Sequence, residues 1–481
     1  MPEAAAPEVA GAYDVVVGLE VHCELRTATK LFCGCPNAFG DEPNTNVCPV
    51  CLGLPGSLPV LNRRAVELAM RVGEALSCQV RPSIFHRKNY FYPDMPKDYQ
   101  ISQYDEPINV DGRLELPDGS VVGIERAHLE EDTGKSTHVG GSGRIHGADH
   151  ALVDYNRAGV PLVEIVSRPD LRSAAQAVDY VRELRAILVA TGASDGKMEE
   201  GSLRVDANVS VRPAGEGALG TRCEIKNLNS LRSLSRAIDY EAARQWDLVR
   251  SGERVVQETR HWNEDAGRTT SGRSKEEAYD YRYFPEPDLV PLEPDEAWRR
   301  QVRASLPVLP AARRRRVARA TGVDAGLAAT VVELDLDSLV MAAVAARADG
   351  RRAVNRAVNE VAADLGAARR LDPAAFTKLL RLEDEGRLTA TQAKQVLAEL
   401  LAGGGDPEAI ARARGFEALG ADALAAAVDE AIAAHPAEWE RFRGGDAKVT
   451  GFFVGQVMRA TAGKADGRAV TSLLRERAAG P

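Results

Sequence analysis

Hydrophobic positions along this 481-residue chain keep two different rhythms. From Tyr13 to about Pro294 apolar residues recur at every second position between Gly and Pro turns, which is the period of strands; from Asp295 onward they recur at helical spacing in a background of Ala, Leu, Arg and Glu. In VVVGLEVHCEL, Val15, Val17, Leu19 and Val21 share one face and leave Glu20, His22 and Glu24 together on the other. SLRVDANVSVRP alternates in the same way: Leu203, Val205, Ala207, Val209 and Val211 lie against Arg204, Asp206, Asn208, Ser210 and Arg212. After a Gly-rich turn, TRCEIKN sets Arg222, Glu224 and Lys226 opposite Cys223 and Ile225. One polar strand face is ordinarily a solvent face. Three, furnished with Arg, Asp, Asn, His and Glu, predict one concave working surface.

Two helices are predicted to back this sheet. SAAQAVDYVRELRAILVATG runs from a Ser173 cap to Gly192, and SLRSLSRAIDYEAARQWDLVRSG carries Leu231, Leu234 and Ile238 on one stripe before Gly252. In the C-terminal part, LTATQAKQVLAELLAGGG has a cap at Thr389 or Thr391 and ends at Gly403, with Gly403, Gly404 and Gly405 as a hinge between helical units. No internal repeat is visible. The fold class is therefore α+β, with a mixed domain over 1–295, a helical domain over 296–405 and a helical tail over 406–481.

Composition adds limits. Hydrophobic residues at 44% and charged residues at 27% are ordinary for a globular protein with a sizeable core. The start, MPEAAAPEVAGAY, is acidic, and no later stretch approaches the about 18 uninterrupted apolar residues of a membrane span, so the chain is expected in the cytoplasm with no membrane partner. A net charge of -9 argues against coating nucleic acid by bulk attraction, while a local basic patch stays open. Seven cysteines, four of them grouped at Cys33, Cys35, Cys48 and Cys51, suit a metal site in a reducing compartment better than a disulfide framework.

The most specific motif is that group: C-G-C, twelve residues, C-P-V-C. Four thiolates at this spacing form a tetrahedral zinc site on two knuckles, structural because no coordination position is left for substrate; four buried thiols are the bland alternative. HLEEDTGKST, residues 128–137, ends like a phosphate loop, but the position where that loop needs a glycine is Leu129. Its acids Glu130, Glu131 and Asp132 instead offer hard oxygen ligands for Mg²⁺, with Lys135 facing phosphate. Taken with Glu20, His22 and Glu164 of VPLVEIVS, they point to a shared metal site. In RKNYFYPDMPKDYQISQ, Arg87, Lys88 and Lys97 interleave with Tyr90, Phe91, Tyr92 and Tyr99, a composition that holds a nucleotide or a stacked RNA end, or else a packed surface loop. DYNRAGVP adds Asp154, Asn156 and Arg157, and YDYRYFPEPD reads as a strap closing the domain. No nucleophile is evident: His22 and Cys23 are neighbours on a strand and so face apart, and no G-x-S-x-G elbow occurs.

Together GLEVHCEL, the cysteine knuckles, NYFYPDMPK, HLEEDTGKSTH, NRAGVPLVEIVS, KMEEGSLRVDANVSVRP, EIKNLNS, YRYFPEPD and GFFVGQVMRATAGKAD resemble the B subunit of the bacterial and organellar glutamyl/aspartyl-tRNA amidotransferase over nearly the whole chain. The resemblance implies a cradle domain around an antiparallel sheet, followed by helical and tail domains that grip tRNA. It implies a glutamine-dependent ligase of three subunits, with a glutaminase A subunit and a small C subunit. ATP would phosphorylate the side-chain carboxylate of misacylated Glu-tRNA(Gln) or Asp-tRNA(Asn), and ammonia from the glutaminase would displace the phosphate. That division agrees with the missing nucleophile. The implied Mg²⁺ ligands are His22, Glu131 and Glu164, with Glu20 close by. From their places on polar faces or loops, Lys88, Arg157, Arg204 and Lys226 are candidates for phosphate or the tRNA terminus, Tyr90 and Lys135 for nucleotide, and Asp206, Asn208 and Glu224 for orienting substrate, metal or ammonia. The basic run RRRRVARATG, 313–322, and the GKADGR region are candidate tRNA patches. GGSGRIHGADH, 140–150, reads as an insertion whose His146 and His150 are not ligands, and TTSGRSKEEAYDY departs from the family pattern, which leaves Arg273 and Lys275 without a role. The rival reading is a non-catalytic zinc-containing RNA-binding scaffold.

Overall fold

Strand β1 (Tyr13–Glu24) sits inside a twelve-stranded sheet. The computed structural model describes residues 13–140, 148–274, 281–416, 421–446, 448–461, 465 and 467–479. The acidic start, His146 and Lys275 lie outside the described residues. The other strands are β2 (Gln79–Val80), β3 (Ile84–Asn89), β4 (Tyr99–Glu106), β5 (Asn109–Glu115), β6 (Val121–Glu131), β7 (Lys135–Val139) and β8 (His150–Asp154). They continue with β9 (Pro161–Ser167), β10 (Leu203–Pro213), β11 (Cys223–Lys226), β12 (Glu258–Asn263), β13 (Arg268–Ser274) and β14 (Phe284–Pro285). The order across the large sheet is β13-β12-β11-β10-β1-β9-β6-β4-β3-β14, with β5 pairing both β2 and the front of β6, while β7 and β8 form a separate hairpin. Among the described strands every pair is antiparallel but one. Strands β11 and β12 run parallel because the chain returns between them through a helix, the connection that parallel strands require.

That helix is α3 (Leu231–Arg250); with α1 (Arg63–Ala75) and α2 (Ala174–Ala190) it covers the apolar face. Val17, Leu19 and Val21 of β1 and Val205, Ala207 and Val209 of β10 are buried with Tyr180, Leu184, Leu234 and Ile238. Removing such side chains from water contributes about 1.5–3 kcal/mol apiece, which fixes which face of each strand points inward and leaves the polar alternates on the other. Ser173 caps α2 through its hydroxyl, as expected, and Ser230 caps α3 in the same way. The described helices and mixed sheet make the α+β class a matter of observation.

Two compact units result, Met1–Pro310 and Ala311–Pro481. Helix α4 (Glu296–Ala304) lies past the expected boundary at 295 yet belongs to the first: Val302 is buried in its core, and Arg303 forks onto Glu74 of α1 with both bonds at 2.9 Å. In the second unit, α5 (Pro310–Thr321), α6 (Ala325–Glu333), α7 (Asp337–Ala345), α8 (Gly350–Asn359), α9 (Leu365–Ala368), α10 (Pro373–Asp384), α11 (Ala390–Gly403) and α12 (Pro407–Ala413) surround Phe376, Leu379, Val396 and Leu397. Helices α13 (Ala421–Ala434), α14 (Pro436–Arg443), α15 (Lys448–Ala460) and α16 (Gly467–Ala479) enclose a separate core of Val428, Phe453, Val457 and Leu474. Thr389 and Gln392 close a reciprocal capping box on α11. The three glycines end that helix without ending the core: α12 folds back so that Ala411 is buried and Lys378 meets Asp406 at 2.5 Å. Among the described residues no helix is long and apolar enough to cross a membrane.

Candidate active site and metal centres

The antiparallel register aligns four side chains across four strands. His128 on β6 pairs with Glu164 on β9, Glu164 with His22 on β1, and His22 with Arg204 on β10. Adjacent strands stand about 4.8 Å apart, so the four functional groups form one row on the polar face. His22 Nε2 is 3.8 Å from Glu130 Oε1 and 4.0 Å from Glu164 Oε2. Ligand atoms bound to one small divalent cation at about 2.1 Å are separated by roughly 3–4 Å, so His22, Glu130 and Glu164 fit such an ion, and their ligand atoms all lie within 4.8 Å of one another.

Electrostatics agree with that geometry. Burial, then the charge of Glu164, pushes Glu130 up to about 8, and burial pushes His22 down to about 4 and His128 down to about 3. Two carboxylates and an imidazole brought this close together form a site whose crowded negative charge a divalent cation would neutralise. Beside the triad, Asn208 Nδ2 donates to Glu20 at 2.9 Å, and Glu20 is raised first by burial and then by Glu164 and Glu224. Lys226 Nζ lies 2.7 Å from Asp206 and 3.0 Å from Glu224; burial would lower its pKa, but these two acids outweigh that and hold it charged. Arg204 donates to Asp132 at 2.7 Å, and Arg157 stands 3.5 Å from the same carboxylate while donating to the Thr133 and Gly134 carbonyls. The three polar strand faces thus form one surface.

Glu131 is not part of it. Consecutive strand residues point apart, so Glu131 leaves the face that carries His128 and Glu130. It is buried on the opposite side, where it pairs with Lys97 and accepts from the Ile101 amide at 2.9 Å. Of the two adjacent acids it is Glu130, not the expected Glu131, that the structure brings to His22 and Glu164. His128, which sequence reasoning passed over, lies in the same row; the alternation of HLEED, with 128, 130 and 132 together, already signals both residues. Lys88 reaches the site's edge, with its ammonium 4.8 Å above the Tyr281 ring and its charge acting on Glu130 and His128. Tyr90 stacks on Tyr92 at 5.0 Å. Lys135 is exposed on the β7–β8 hairpin, which is not paired to the sheet. The YRYFPEPD segment straps the β3 edge: β14 pairs with His86 and Arg87, and Arg87 forks onto buried Glu286 at 2.6 and 2.8 Å.

Cys33, Cys35, Cys48 and Cys51 converge, their sulfurs all within 4.8 Å. The Cys48 and Cys51 sulfurs are 3.9 Å apart, against roughly 3.8 Å for the edge of a tetrahedron around zinc at about 2.3 Å. The hydrogen bond from Cys33, with lesser help from the Cys48 amide and Lys30, outweighs burial and lowers Cys51 to about 4, while the same hydrogen bond raises Cys33. The group is compatible with a zinc knuckle.

Two family models match the chain: a GatB/GatE catalytic domain over residues 15–300 and a GatB domain over 338–477. Among curated relatives, the B subunit of the aspartyl/glutamyl-tRNA(Asn/Gln) amidotransferase of Salinispora arenicola is 51% identical, covering 98% of this chain and 97% of the relative. The proteins of the same name from Nocardia farcinica and from Anaeromyxobacter sp. strain K are each 50% identical, covering 97% of this chain and 96% and 98% of their own lengths. With matched models over both units and half of all residues shared end to end, the chain belongs to the family of aspartyl/glutamyl-tRNA(Asn/Gln) amidotransferase B subunits.

Proposed function

We propose that the polar face of the first unit catalyses ATP-dependent amidation of Glu or Asp esterified to the wrong tRNA. The side-chain carboxylate oxygen attacks the γ-phosphorus of ATP, the bond to the β-phosphate oxygen breaks, and ADP leaves with an acyl phosphate formed. Ammonia then attacks the acyl carbon, inorganic phosphate departs, and the nitrogen loses a proton to give the amide. A carboxylate resists ammonia until one oxygen becomes a leaving group, which is what phosphorylation provides. His22, Glu130 and Glu164 would hold Mg²⁺, which when bound neutralises charge on the transferring phosphoryl group. Lys226, Arg204 and Lys88 supply positive charge along the same face, and Asn208 orients Glu20. Ammonia comes from a glutaminase partner, with a small third component completing the complex; the four cysteines would hold a structural zinc ion.

The observation that carries this reading is the convergence of His22, Glu130 and Glu164 from three strands beside Lys226 and Arg204. With the complex reconstituted, glutamine, ATP and misacylated tRNA should yield ADP and amidated tRNA, and Glu130→Gln should reduce both by about 10³-fold or more, as loss of a principal charge-stabilising group does. Unchanged turnover in that variant would favour a scaffold without chemistry of its own. Running the reaction separately with Glu-tRNA(Gln) and Asp-tRNA(Asn) identifies the substrate.

A further inference from the structure

His128 is fully buried, and among the described residues neither ring nitrogen has a hydrogen-bond partner. Burial without a partner costs free energy, about 1–3 kcal/mol for a polar group, so such a residue persists where something else needs it. Its Nε2 stands 3.4 Å from Glu164 Oε2 and 3.9 Å from Glu130 Oε2, between the two carboxylates of the triad. The position is set by structure: β6 and β9 pair His128 with Glu164, and the Tyr104 ring meets the imidazole edge-on at 6.4 Å. Tyr104 is itself held by stacking on Tyr283 at 5.2 Å and by Arg126 at 4.9 Å.

We propose that His128 is a positioning residue: its Nε2 stands within reach of Glu164 Oε2, and in the metal-loaded site its N–H would donate to that oxygen and turn the carboxylate, with Glu130 beside it, toward the cation. This rests on the metal-site reading above. One N–H, carried at Nε2, is enough for this bond. Metal-ligating groups are commonly held this way by a second layer of hydrogen bonds, and loss of that layer typically weakens metal affinity about 10–100-fold. His128 is not itself assigned as a ligand, since the compact set of ligand atoms comprises His22, Glu130 and Glu164.

The test is Mn²⁺ titration followed by electron paramagnetic resonance, on the full chain purified with its partner subunits. His128→Phe keeps a ring of similar size and removes the N–H; it should bind Mn²⁺ about 10–100-fold more weakly with little change in melting temperature. His128→Gln places an amide N–H near the Nε2 position and should recover affinity to within about threefold, whereas His128→Asn, too short to reach Glu164, should not. Wild-type affinity in His128→Phe, or equal loss in the Gln and Asn variants, overturns the proposal. If His128→Phe does not fold, the comparison of Gln with Asn still decides it. Glu164→Gln serves as the reference: tight Mn²⁺ binding there would show that the metal-site reading has failed and the positioning role with it, while weak binding there together with unaffected His128→Phe removes the positioning role alone.

Discussion

Glu130 and Glu131 are adjacent acids with opposite surroundings, and the contrast shows what decides the role of a carboxylate. Glu130 faces His22 and Glu164, and among the described residues neither carboxylate is within ion-pair distance of an ammonium or guanidinium; Glu131 has the ammonium of Lys97, inside a buried pair. Breaking a buried pair by removing one partner costs about 3–5 kcal/mol, because the remaining charge stays desolvated. Glu131→Gln should therefore lower the melting temperature markedly, as read by calorimetry, while Mn²⁺ affinity stays close to that of the unaltered chain. Glu130→Gln should do the reverse. Period-two alternation placed His22, Glu20, Asp206, Asn208, Glu224 and Lys226 on their faces without any structure. The same rule applied to HLEED separates 130 from 131; assigning Glu131 by resemblance bypassed it. The partners of Glu131 were not legible, because Lys97 and Ile101 approach from a strand and loop about 30 residues away and no local pattern records that pairing.

Strands and helices with a buried stripe could be read from the chain because one face of each is sorted by water. The N-cap at Ser173 followed from residue type, and of the two threonines offered for α11 it is Thr389 that caps; the cap at Ser230 was not read from the chain. The two-residue strands β2 and β14 and the parallel pairing of β11 with β12 escaped, since they depend on what the neighbouring segment offers. The attachment of α4 to the first unit escaped for the same reason. Helix α3 is tied to the sheet edge by Glu241, which accepts from Arg244 at 2.6 Å, Gln245 at 2.9 Å and Thr269 of β13 at 2.9 Å, with Arg260 of β12 at 3.3 Å. Burial alone would raise its pKa, but these donors and the charge of Arg244 outweigh it and hold the carboxyl below its usual range. A depressed folded value means that stabilisation is fully present above the unfolded value of about 4.3 and is lost as pH falls through the folded one. Urea midpoints measured between about pH 6 and pH 3 should fall less steeply for Glu241→Gln than for the unaltered chain, starting from a lower stability at neutral pH. Parallel curves would show that this network does not couple protonation to folding.

At the scale of the whole chain, a net charge of -9 leaves little general attraction for a polyanion, so positive charge must be concentrated and held in place. The site does this by pairing: Arg204 and Arg157 with Asp132, Lys226 with Asp206 and Glu224. In the second unit, Arg313 and Arg316 of the arginine run both engage Asp337. The cysteine group poses the same problem with the sign reversed. Between the end of β1 and the start of α1, all of it among the described residues, the chain has no helix and only an isolated bridge between Thr29 and Pro36, yet it buries Leu31, Phe32 and the whole of Lys30. The Lys30 ammonium has the Tyr155 carbonyl at 3.2 Å and the Cys51 sulfur at 3.7 Å. A buried ammonium needs a compensating anion. Four thiolates around one zinc ion would carry a net double negative charge, so with zinc bound Lys30 would neutralise part of it and the ion would replace the missing backbone ladder as the connection between the knuckles. If that reading holds, the parent protein should contain one equivalent of zinc by metal analysis, and Cys48→Ser should contain none and show faster amide exchange across residues 27–61, with α3 as an internal reference that stays protected. Retained protection without zinc would mean that core packing around Leu31 and Phe32 is sufficient to hold Lys30 in place, and the ion would then contribute nothing to this segment that apolar burial does not already supply.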